Sequence, residues 1–503
     1  MKNLFYTAFL ILFPLFLTAQ SPSGCIAPEE LPSVKNRLQH NVSQGAGATQ
    51  RALSYVPLRF HLVADQSGAG RSKMRLILNQ LCALNEAYLP GDIQFYLHGA
   101  DLVGTSISND LVNEDPLSNG AEFIMDAQRD PAAINIYLLK EVDNWSSPFG
   151  LVGTYYTPAN NWIVATKGVL QTPDYFMPHE IGHYFSLLHT FHGWDATFDA
   201  NYPGWPQAPA TIFGYPVELM DGSNCTEAGD LICDTPPDYL FVELNCAPYA
   251  GGALDPNGTP VDPMENNMMS YYFDCAAYQF TPGQFATMNA DLASPAQASL
   301  DLGFTPAATE IFTPPNLLIS PPQDFFFPSN TNIQLDWLDV AGATHYLVEL
   351  DIVPSFTTPA SLEFIATESE LLISNPILPN KDYYWRVRPF NAHVGCATAM
   401  TGEFRSGPAT SNVQTLADGS AIQATPNPVA AGQMLRIQAD MKTSALLQLR
   451  GFDAAGRLVW QERRQLTAGE QSWEIPADRF SPGLNWLQFE AGGQVLVQEI
   501  VRQ

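Results

Sequence analysis

Apolar residues in the first part of the chain follow two different periods, which together predict a layered α/β domain. Alternating apolar positions predict strands at 58–62 and 93–97, because successive side chains of a strand point to opposite faces. Apolar residues at helical spacing predict a helix between them (Met74, Ile77, Leu81 and Leu84). A continuous apolar run at 134–139 predicts a further, buried strand. This order of elements is typical of an α/β domain, which we place at 53–305.

The last part of the chain shows short alternating strands instead of helical periods. A proline-rich linker at 312–322 precedes them, and its prolines exclude a helix. Alternating apolar and aromatic residues predict one β-sandwich over 316–408 and a second all-β unit over 420–503. We interpret the first sandwich as a spacer, with a carbohydrate- or protein-binding module as the alternative.

The chain begins with a segment typical of exported proteins. Lys2 is followed by an apolar run at 4–17, and small residues then predict a signal peptide over 1–20. No later stretch reaches the length of a membrane span, so we expect no transmembrane segment after signal removal. The polar residues at 21–52 predict a short pro-segment.

The formal net charge of −28 argues against nucleic acid as a partner, since nucleic-acid binding needs basic patches. Seven cysteines in an exported chain permit disulfides with one cysteine left over. We expect Cys225 to pair with Cys233 and Cys246 with Cys275, although spacing leaves the connectivity open. Cys82 lies on the apolar face of the predicted helix, so we interpret it as a core residue.

Metal-binding chemistry is concentrated in one short apolar stretch, 178–189. His179 and His183 are four residues apart, so on a helix both imidazoles lie on one face and can bind one zinc ion. His189 can supply the third ligand once the helix ends. Glu180 can then act as general base toward zinc-activated water and pass the proton to the leaving amine. Three histidines with one open position are typical of catalytic zinc.

The run HEIGHYFSLLHTF at 179–191 resembles the zinc signature of metzincin proteases, and in particular the pappalysin family. The resemblance implies a twisted sheet over the zinc helix, with strands near 150–153 and 162–165 closest to the cleft. The family has glycine where Ser186 stands, and a left-handed conformation there would cost about 1–2 kcal/mol. We therefore expect an α/β (α+β) metzincin-like catalytic domain followed by two all-β sandwich domains.

Two further segments resemble pappalysin motifs. The run at 266–271 resembles the Met-turn, which implies that Met269 lies beneath the metal and that Tyr271 donates a hydrogen bond to the developing oxyanion. The run at 229–238 resembles a calcium-binding loop. Its oxygen ligands would come from three aspartates and one threonine (Asp230, Asp234, Asp238 and Thr235). A turn rich in Asp and Pro that binds no ion is the alternative.

The same resemblance implies two regulatory or specificity residues. Pappalysin-like zymogens are held latent by a cysteine of the kind found at Cys25, which could instead be a disulfide partner or an idle thiol. Some members cut beside Arg or Lys through an acidic residue just after the Met-turn. Asp274 is the only acid between Ser270 and Gln279, so it is the candidate here.

The two C-terminal units also resemble known modules. The stretch 316–408 resembles a fibronectin type III-like module. The last unit, with its runs at 426–428, 453–459 and 481–486, resembles the C-terminal sorting domain of type IX secretion. That resemblance implies export by the type IX machinery, and location outside or on the outer surface of a Gram-negative bacterium.

The chain therefore predicts a secreted zinc metalloendopeptidase acting on protein or peptide substrates. The alternative is an inactive cell-surface adhesin or binding protein on a metalloprotease fold, and a zinc hydrolase that does not cut peptides is a third hypothesis. Glu180 favours the enzyme, because an inactive copy has no need of a carboxylate beside the metal. We interpret His61, His98 and His192 as non-ligands, since none fits the ligand spacing.

Overall fold

The computed structural model describes residues 31–45, 52–99, 101–102, 107–116, 118–140, 154–157, 160–194, 207–212, 214–239, 246–327, 329–358, 361–407, 414–415, 418–453, 457–491 and 494–503. The predicted signal peptide, Cys25 and the segment 150–153 lie outside these residues. The chain divides into two compact units. The first contains Met1–Ile311, Gly342–Thr344 and Phe390–Ala397, and the second contains Phe312–Ala341, His345–Pro389 and Thr398–Gln503.

A six-stranded sheet, a two-stranded sheet and six α-helices are the main regular structure described in the first unit. Its helices are α1 (Leu31–Gly45), α2 (Met74–Tyr88), α3 (Asp110–Glu114), α4 (Asn119–Gln128), α5 (Phe176–Tyr184) and α6 (Pro282–Leu292). Its strands are β1 (Ser54–Ala64), β2 (Ile93–Leu97), β3 (Ile107–Ser108), β4 (Ile134–Leu139), β5 (Thr154–Thr157), β6 (Trp162–Thr166), β7 (Thr211–Ile212) and β8 (Tyr215–Pro216).

The sheet has the order β2-β1-β4-β6-β5, with β3 also pairing with β1. All its pairs are parallel except that of β5 with β6. Strands β2, β4 and β6 are buried throughout, as expected of parallel strands covered on both faces. The strands predicted at 58–62, 93–97 and 134–139 are present. The apolar face of α2 is buried as its spacing predicts, and β5 forms one edge of the sheet.

A disulfide joins Cys82 on α2 to Cys396, 314 residues later in the chain. The interpretation of Cys82 as a simple core residue is therefore wrong. The bond holds the loop Phe390–Ala397 against the first unit, where the Ala392 carbonyl accepts from Leu97 N at 2.7 Å and His393 Nδ1 lies 3.0 Å from the Phe95 carbonyl. A loop from within the predicted first sandwich thus belongs to the first unit.

The segment between α5 and α6 contains little regular structure. In its described residues the strands are β7 and β8, which pair with each other. Disulfides Cys225–Cys233 and Cys246–Cys275 cross-link this segment, and these are the pairs expected from the sequence. A disulfide stabilises such a segment chiefly by restricting the unfolded chain.

The described part of the second unit is all β. Its first part forms sheets of order β10-β16-β15-β12-β13 and β14-β11-β9, and its last part forms β17-β18-β19-β22 and β21-β20-β23-β24. The strands are β9 (Leu318–Ser320), β10 (Phe325–Phe326), β11 (Ile333–Trp337), β12 (His345–Asp351), β13 (Leu362–Ala366), β14 (Glu370–Ile373), β15 (Asp382–Phe390), β16 (Met400–Arg405), β17 (Gln414–Thr415), β18 (Ala421–Thr425), β19 (Met434–Met441), β20 (Ala445–Asp453), β21 (Leu458–Leu466), β22 (Gly469–Pro476), β23 (Gly483–Ala491) and β24 (Gln494–Arg502).

Each pair of sheets buries apolar residues in the manner of a sandwich. In the last part, one core joins Ile437 of β19 to Leu449 of β20 and Leu487 of β23. In the first part, the buried rings of Trp337 on β11 and Tyr346 on β12 have centroids 5.4 Å apart. Across the described residues, every helix is too short or too polar to cross a membrane.

Candidate metal centre

Helix α5 is short because its sequence limits it at both ends. Pro178 lies in the first turn, where its missing N–H would have no partner within the helix. At the other end Ser186 adopts a left-handed φ of 70°. Ser186 N donates to the His183 carbonyl at 2.9 Å and Leu187 N to the Gly182 carbonyl at 3.0 Å. These two bonds form a Schellman motif, which turns the chain back toward the helix.

This turn brings the three predicted histidines together. The Nε2 atoms of His179 and His183 lie 3.1 Å apart, and those of His183 and His189 lie 3.2 Å apart. Around a tetrahedral zinc ion with bonds of about 2.0–2.1 Å, two nitrogens would be separated by about 3.4 Å. Within the described part of the chain, these side chains form the one group of three or more potential metal-ligating residues.

Hydrogen bonds fix which ring nitrogen faces the centre. His179 Nδ1 lies 2.7 Å from the Met268 carbonyl, and His183 Nδ1 lies 2.8 Å from the Leu187 carbonyl. Because a carbonyl only accepts, each Nδ1 carries the proton and each Nε2 does not. Unprotonated nitrogens this close repel each other, and a cation between them removes the repulsion. The donor set therefore fits zinc.

Burial favours the neutral imidazole that zinc requires. His183 is fully buried and His179 almost fully so. Burial, and after it the neighbouring His189, lowers the pKa of His179 to about 3. A neutral ring is the form that binds a metal through its lone pair.

The segment 266–271 contacts the histidine group, since the Met268 carbonyl lies 2.7 Å from His179 Nδ1. Met269 is fully buried, and its carbonyl accepts from Thr190 N at 3.2 Å. A Cβ atom at Gly182 would lie 2.6 Å from the Met269 sulfur. Only glycine therefore lets the methionine approach α5 this closely. The sequence did not predict this requirement for Gly182, because the glycine is inside a helix and its contact with Met269 depends on a distant segment.

Glu180 and Tyr271 are the two further residues that the sequence assigns to this site. The Glu180 side chain is fully buried on α5, next to His179 in the chain. The Tyr271 ring has its centroid 4.8 Å from that of His189 and 5.8 Å from that of His179. Tyr271 therefore lies beside the histidine group, and Glu180 directly follows one member of that group on α5.

Asp238 links the two loops that carry these groups. Its Oδ2 accepts from the Thr190 hydroxyl at 2.8 Å and from the Ser270 hydroxyl at 2.7 Å. Thr190 follows His189, and Ser270 precedes Tyr271. The structure therefore gives Asp238 a contact role that the sequence did not suggest, since the hydroxyl partners lie in loops without periodicity.

The other residues of the predicted calcium loop point to different partners. Asp234 accepts from the Thr281 hydroxyl and from Gly283 N, both at 2.7 Å, at the N-terminus of α6. Asp230 accepts from the Thr235 hydroxyl at 2.8 Å.

The buried Glu218 was missed in the sequence. Burial raises its pKa to about 9, with further increases from Asp230 and Asp238.

The remaining candidates do not belong to the histidine group or lie outside the described residues. Asp274 is exposed and adopts a left-handed φ of 58°. His61 Nε2 lies 2.9 Å from Asn135 Oδ1, and His98 Nδ1 lies 2.7 Å from Asp130 Oδ2. His192 packs edge-on against Tyr215, with ring centroids 5.2 Å apart. None of these three histidines is in the metal-ligating group.

Comparison with known proteins supports a secreted metalloprotease. The chain is 26% identical over 255 residues to an extracellular metalloprotease of Sordaria macrospora, covering 48% of this chain and 76% of the relative. It is 24% identical over 291 residues to extracellular metalloprotease 1 of Coccidioides posadasii, covering 53% and 87%. No protein-family model matches the chain.

The comparisons support less for the C-terminal units. Both relatives are fungal and match about half of the chain, so they lend no support to a type IX sorting domain or a bacterial surface. Among solved structures, the FN1-FN3 domains of chicken CNTN1 match 36% of this chain and 66% of that chain at 15% identity. Their TM-score of 0.15 is too low to carry an argument.

Proposed function

We propose that the protein is a secreted zinc metalloendopeptidase of metzincin type, close to the pappalysins. The observation that carries this proposal is the convergence of three Nε2 atoms, two of them on rings whose Nδ1 faces a carbonyl. Mass spectrometry of an unbiased peptide pool incubated with the full chain tests it. New termini at internal bonds are expected, and an untouched pool would contradict the proposal.

Each residue of the centre has a distinct task in this proposal. His179, His183 and His189 would hold the zinc ion, which supplies a Lewis acid that polarises the scissile carbonyl and acidifies water. Glu180 takes a proton from the attacking water onto its carboxylate. As the C–N bond breaks, the same carboxyl group passes that proton to the leaving amine nitrogen. Met269, packed against Gly182, keeps the metal-binding helix in place.

Tyr271 is proposed to steady the negative oxygen that develops on the attacked carbonyl. Tyr271→Phe should lower kcat by about 100- to 1000-fold, the loss usual for one oxyanion donor, with little change in KM. Steady-state kinetics on one peptide checks this. Tyr272→Phe removes a hydroxyl from the neighbouring residue and should leave kcat close to that of the wild type. Equal kcat for Tyr271→Phe and the wild type would contradict the role.

Asp274 is proposed to favour basic residues beside the cleaved bond. Asp274→Asn removes the charge, and asparagine tolerates the left-handed backbone found there. We expect the preference for Arg and Lys in the peptide pool to fall about tenfold, with other cuts unchanged. Asp262→Asn, at another exposed acid of the same segment, is the control. An identical cleavage profile for Asp274→Asn would exclude the role.

Calcium remains a prediction, supported by the buried carboxylates of Glu218, Asp230 and Asp238. Burial raises the pKa of Asp230 to about 8, and neighbouring aspartates add to the shift. Since the pKa of this carboxyl in the unfolded chain is near 4, the unfolded chain binds fewer protons than the folded chain between pH 4 and 8. Stability should therefore fall as the pH rises through that window.

Calcium bound to the ionised carboxylates would oppose this fall. With a calcium-selective chelator present, we expect the Tm to drop as the pH rises from 5 to 8. With calcium in place of the chelator, we expect a smaller drop. Asp230→Asn should have a flatter Tm profile, because the titrating group is gone. Calcium without effect on the wild-type profile would remove the support for a calcium site.

The remaining predictions concern maturation and export. Cys25 is proposed to hold the zymogen latent, and six of the seven cysteines in the sequence pair with one another. Cys25→Ser protein that stays as latent as the unprocessed wild type would contradict that role.

Export by the type IX machinery rests on the resemblance alone. Deletion of 420–503 should block export from a bacterium that carries this machinery.

A binding protein on an inactive protease fold is the second hypothesis. It would account for Ser186 in place of the family's glycine and for β5 at one edge of the described sheet, where a partner's strand could pair. It predicts zinc in the protein without cleavage of any peptide. The buried carboxylate of Glu180 favours the enzyme, because a binding protein gains nothing from it.

A further inference from the structure

Helix α1 lies within the segment that the sequence suggests is removed on activation, yet it is built into the folded first unit. Val34 and Asn41 are 2% and 1% exposed, and Leu38 is fully buried. The helix packs against α6. A segment that must leave easily would be expected to bury less of its apolar face.

One fully buried carboxylate anchors α1 to α6. Asp291 on α6 accepts from Arg37 Nε at 2.6 Å and from Arg37 Nη2 at 3.0 Å. It also accepts from the Asn41 amide at 2.5 Å and from the Gln297 amide at 2.9 Å. A buried carboxylate held by a two-pronged arginine gives fixed geometry to both partners.

The same two α1 residues reach the end of the metal-binding helix. Arg37 Nη2 donates to the carbonyl of Tyr184, the last residue of α5. The last carbonyls of a helix lack partners within the helix, and a cation there is favourable. The Asn41 amide donates to the Ser186 hydroxyl at 3.0 Å. Ser186 is the left-handed residue that turns the chain toward His189.

Ser186 therefore has a use for its side chain that glycine could not provide. Its left-handed backbone is unfavourable for any residue with a Cβ. The hydrogen bond from Asn41 opposes that cost by holding the hydroxyl where the turn places it. The Leu187 carbonyl of the same turn orients His183, so the turn affects two of the three ligands.

We propose that α1 caps the metal-binding helix and stays with the catalytic unit after activation. Arg37 and Asn41 are then positioning residues for the turn that leads to His189, and the activating cut falls before Leu31. This inference rests on the proposed metal site and narrows where cleavage occurs within the segment 21–52.

Zinc affinity of the full chain, measured by competition with a chromogenic chelator, tests the positioning role without any assay of cleavage. Asn41→Leu should weaken zinc binding about tenfold or more, the loss usual for partners that orient ligands. Asn36→Leu changes the same residue type at an exposed position of α1 and should bind zinc as the wild type does. The combination Asn41→Leu with Ser186→Gly should recover most of the loss, because glycine needs no support in the left-handed conformation.

If Asn41→Leu weakens zinc binding equally with serine and with glycine at position 186, the role of Asn41 is merely structural, and the inference is overturned. If Asn41→Leu does not fold, Ser186→Ala serves instead, since it deletes only the hydroxyl acceptor. Several-fold weaker zinc binding is expected for it, and unchanged binding would overturn the inference. Wild-type protein that binds no zinc would overturn this inference and the proposed function together.

The N-terminus of the active enzyme, read by mass spectrometry, tests the place of cleavage. We expect it at or before Leu31. An active form that starts beyond Leu31 and binds zinc with undiminished affinity would show that α1 is dispensable. That result would overturn this inference alone and leave the metalloendopeptidase intact.

Discussion

Glu180→Gln protein should bind zinc as tightly as the wild type and cleave peptides about 100- to 10,000-fold more slowly. Glutamine keeps the size of the fully buried side chain but cannot accept a proton from water. A positioned general base usually contributes a factor of this size. Because Glu180 does not belong to the group of potential zinc ligands, removal of its charge should leave the three ligands in place.

Zinc content and single-turnover cleavage, measured on the same preparations, check this result. The control is Glu122→Gln, the same change at another helical glutamate of the first unit, on α4. It should keep both zinc and cleavage. Wild-type rates for Glu180→Gln would exclude Glu180 as the base. Loss of zinc from that variant would assign Glu180 to the support of the metal instead.

His189→Ala should release zinc and abolish cleavage. The three Nε2 atoms lie close enough to share one ion, and removing one of three ligands leaves an incomplete site. We expect affinity to fall by more than about 100-fold, beyond the effect of losing an outer partner. Chelator competition measures the fall, and added zinc should not restore cleavage at moderate concentrations.

His192→Gln is the matched control for His189→Ala. His192 is buried three residues further along the same loop but is outside the ligand group. The His192→Gln protein should retain its zinc, and its cleavage rate per bound zinc ion should match that of the wild type. A reversal, with zinc lost from the His192 variant and kept in the His189 variant, would show that the third ligand has been wrongly assigned.

Local sequence patterns were sufficient for the elements that depend on local spacing. The apolar period across α2 and the runs in β2 and β4 predict what the structure contains, because their burial follows directly from periodicity. The spacing of His179 and His183 works in the same way, since one helical turn brings them together. Asp230, Asp234 and Asp238 are also four residues apart, but they do not lie on a helix, and each meets a different partner.

Contacts between distant segments could not be predicted from the sequence. Cysteine spacing does not encode connectivity, so the bond from Cys82 to Cys396 could not be foreseen. Nor does the polar composition of 21–52 reveal that Asn41 reaches Ser186 at the turn after the metal-binding helix. Such contacts depend on which loops meet in the folded chain, and their residues carry no periodic signal.

We propose that one zinc ion held by three histidines makes this protein a peptidase. Zinc titrated into the metal-free full chain, while cleavage of a peptide pool is followed, tests it most directly. We expect no cleavage without metal, and a rise in cleavage that levels off at about one zinc per chain. Cleavage that persists in the metal-free protein, or zinc that binds without any cleavage after the segment before Leu31 is removed, would contradict it.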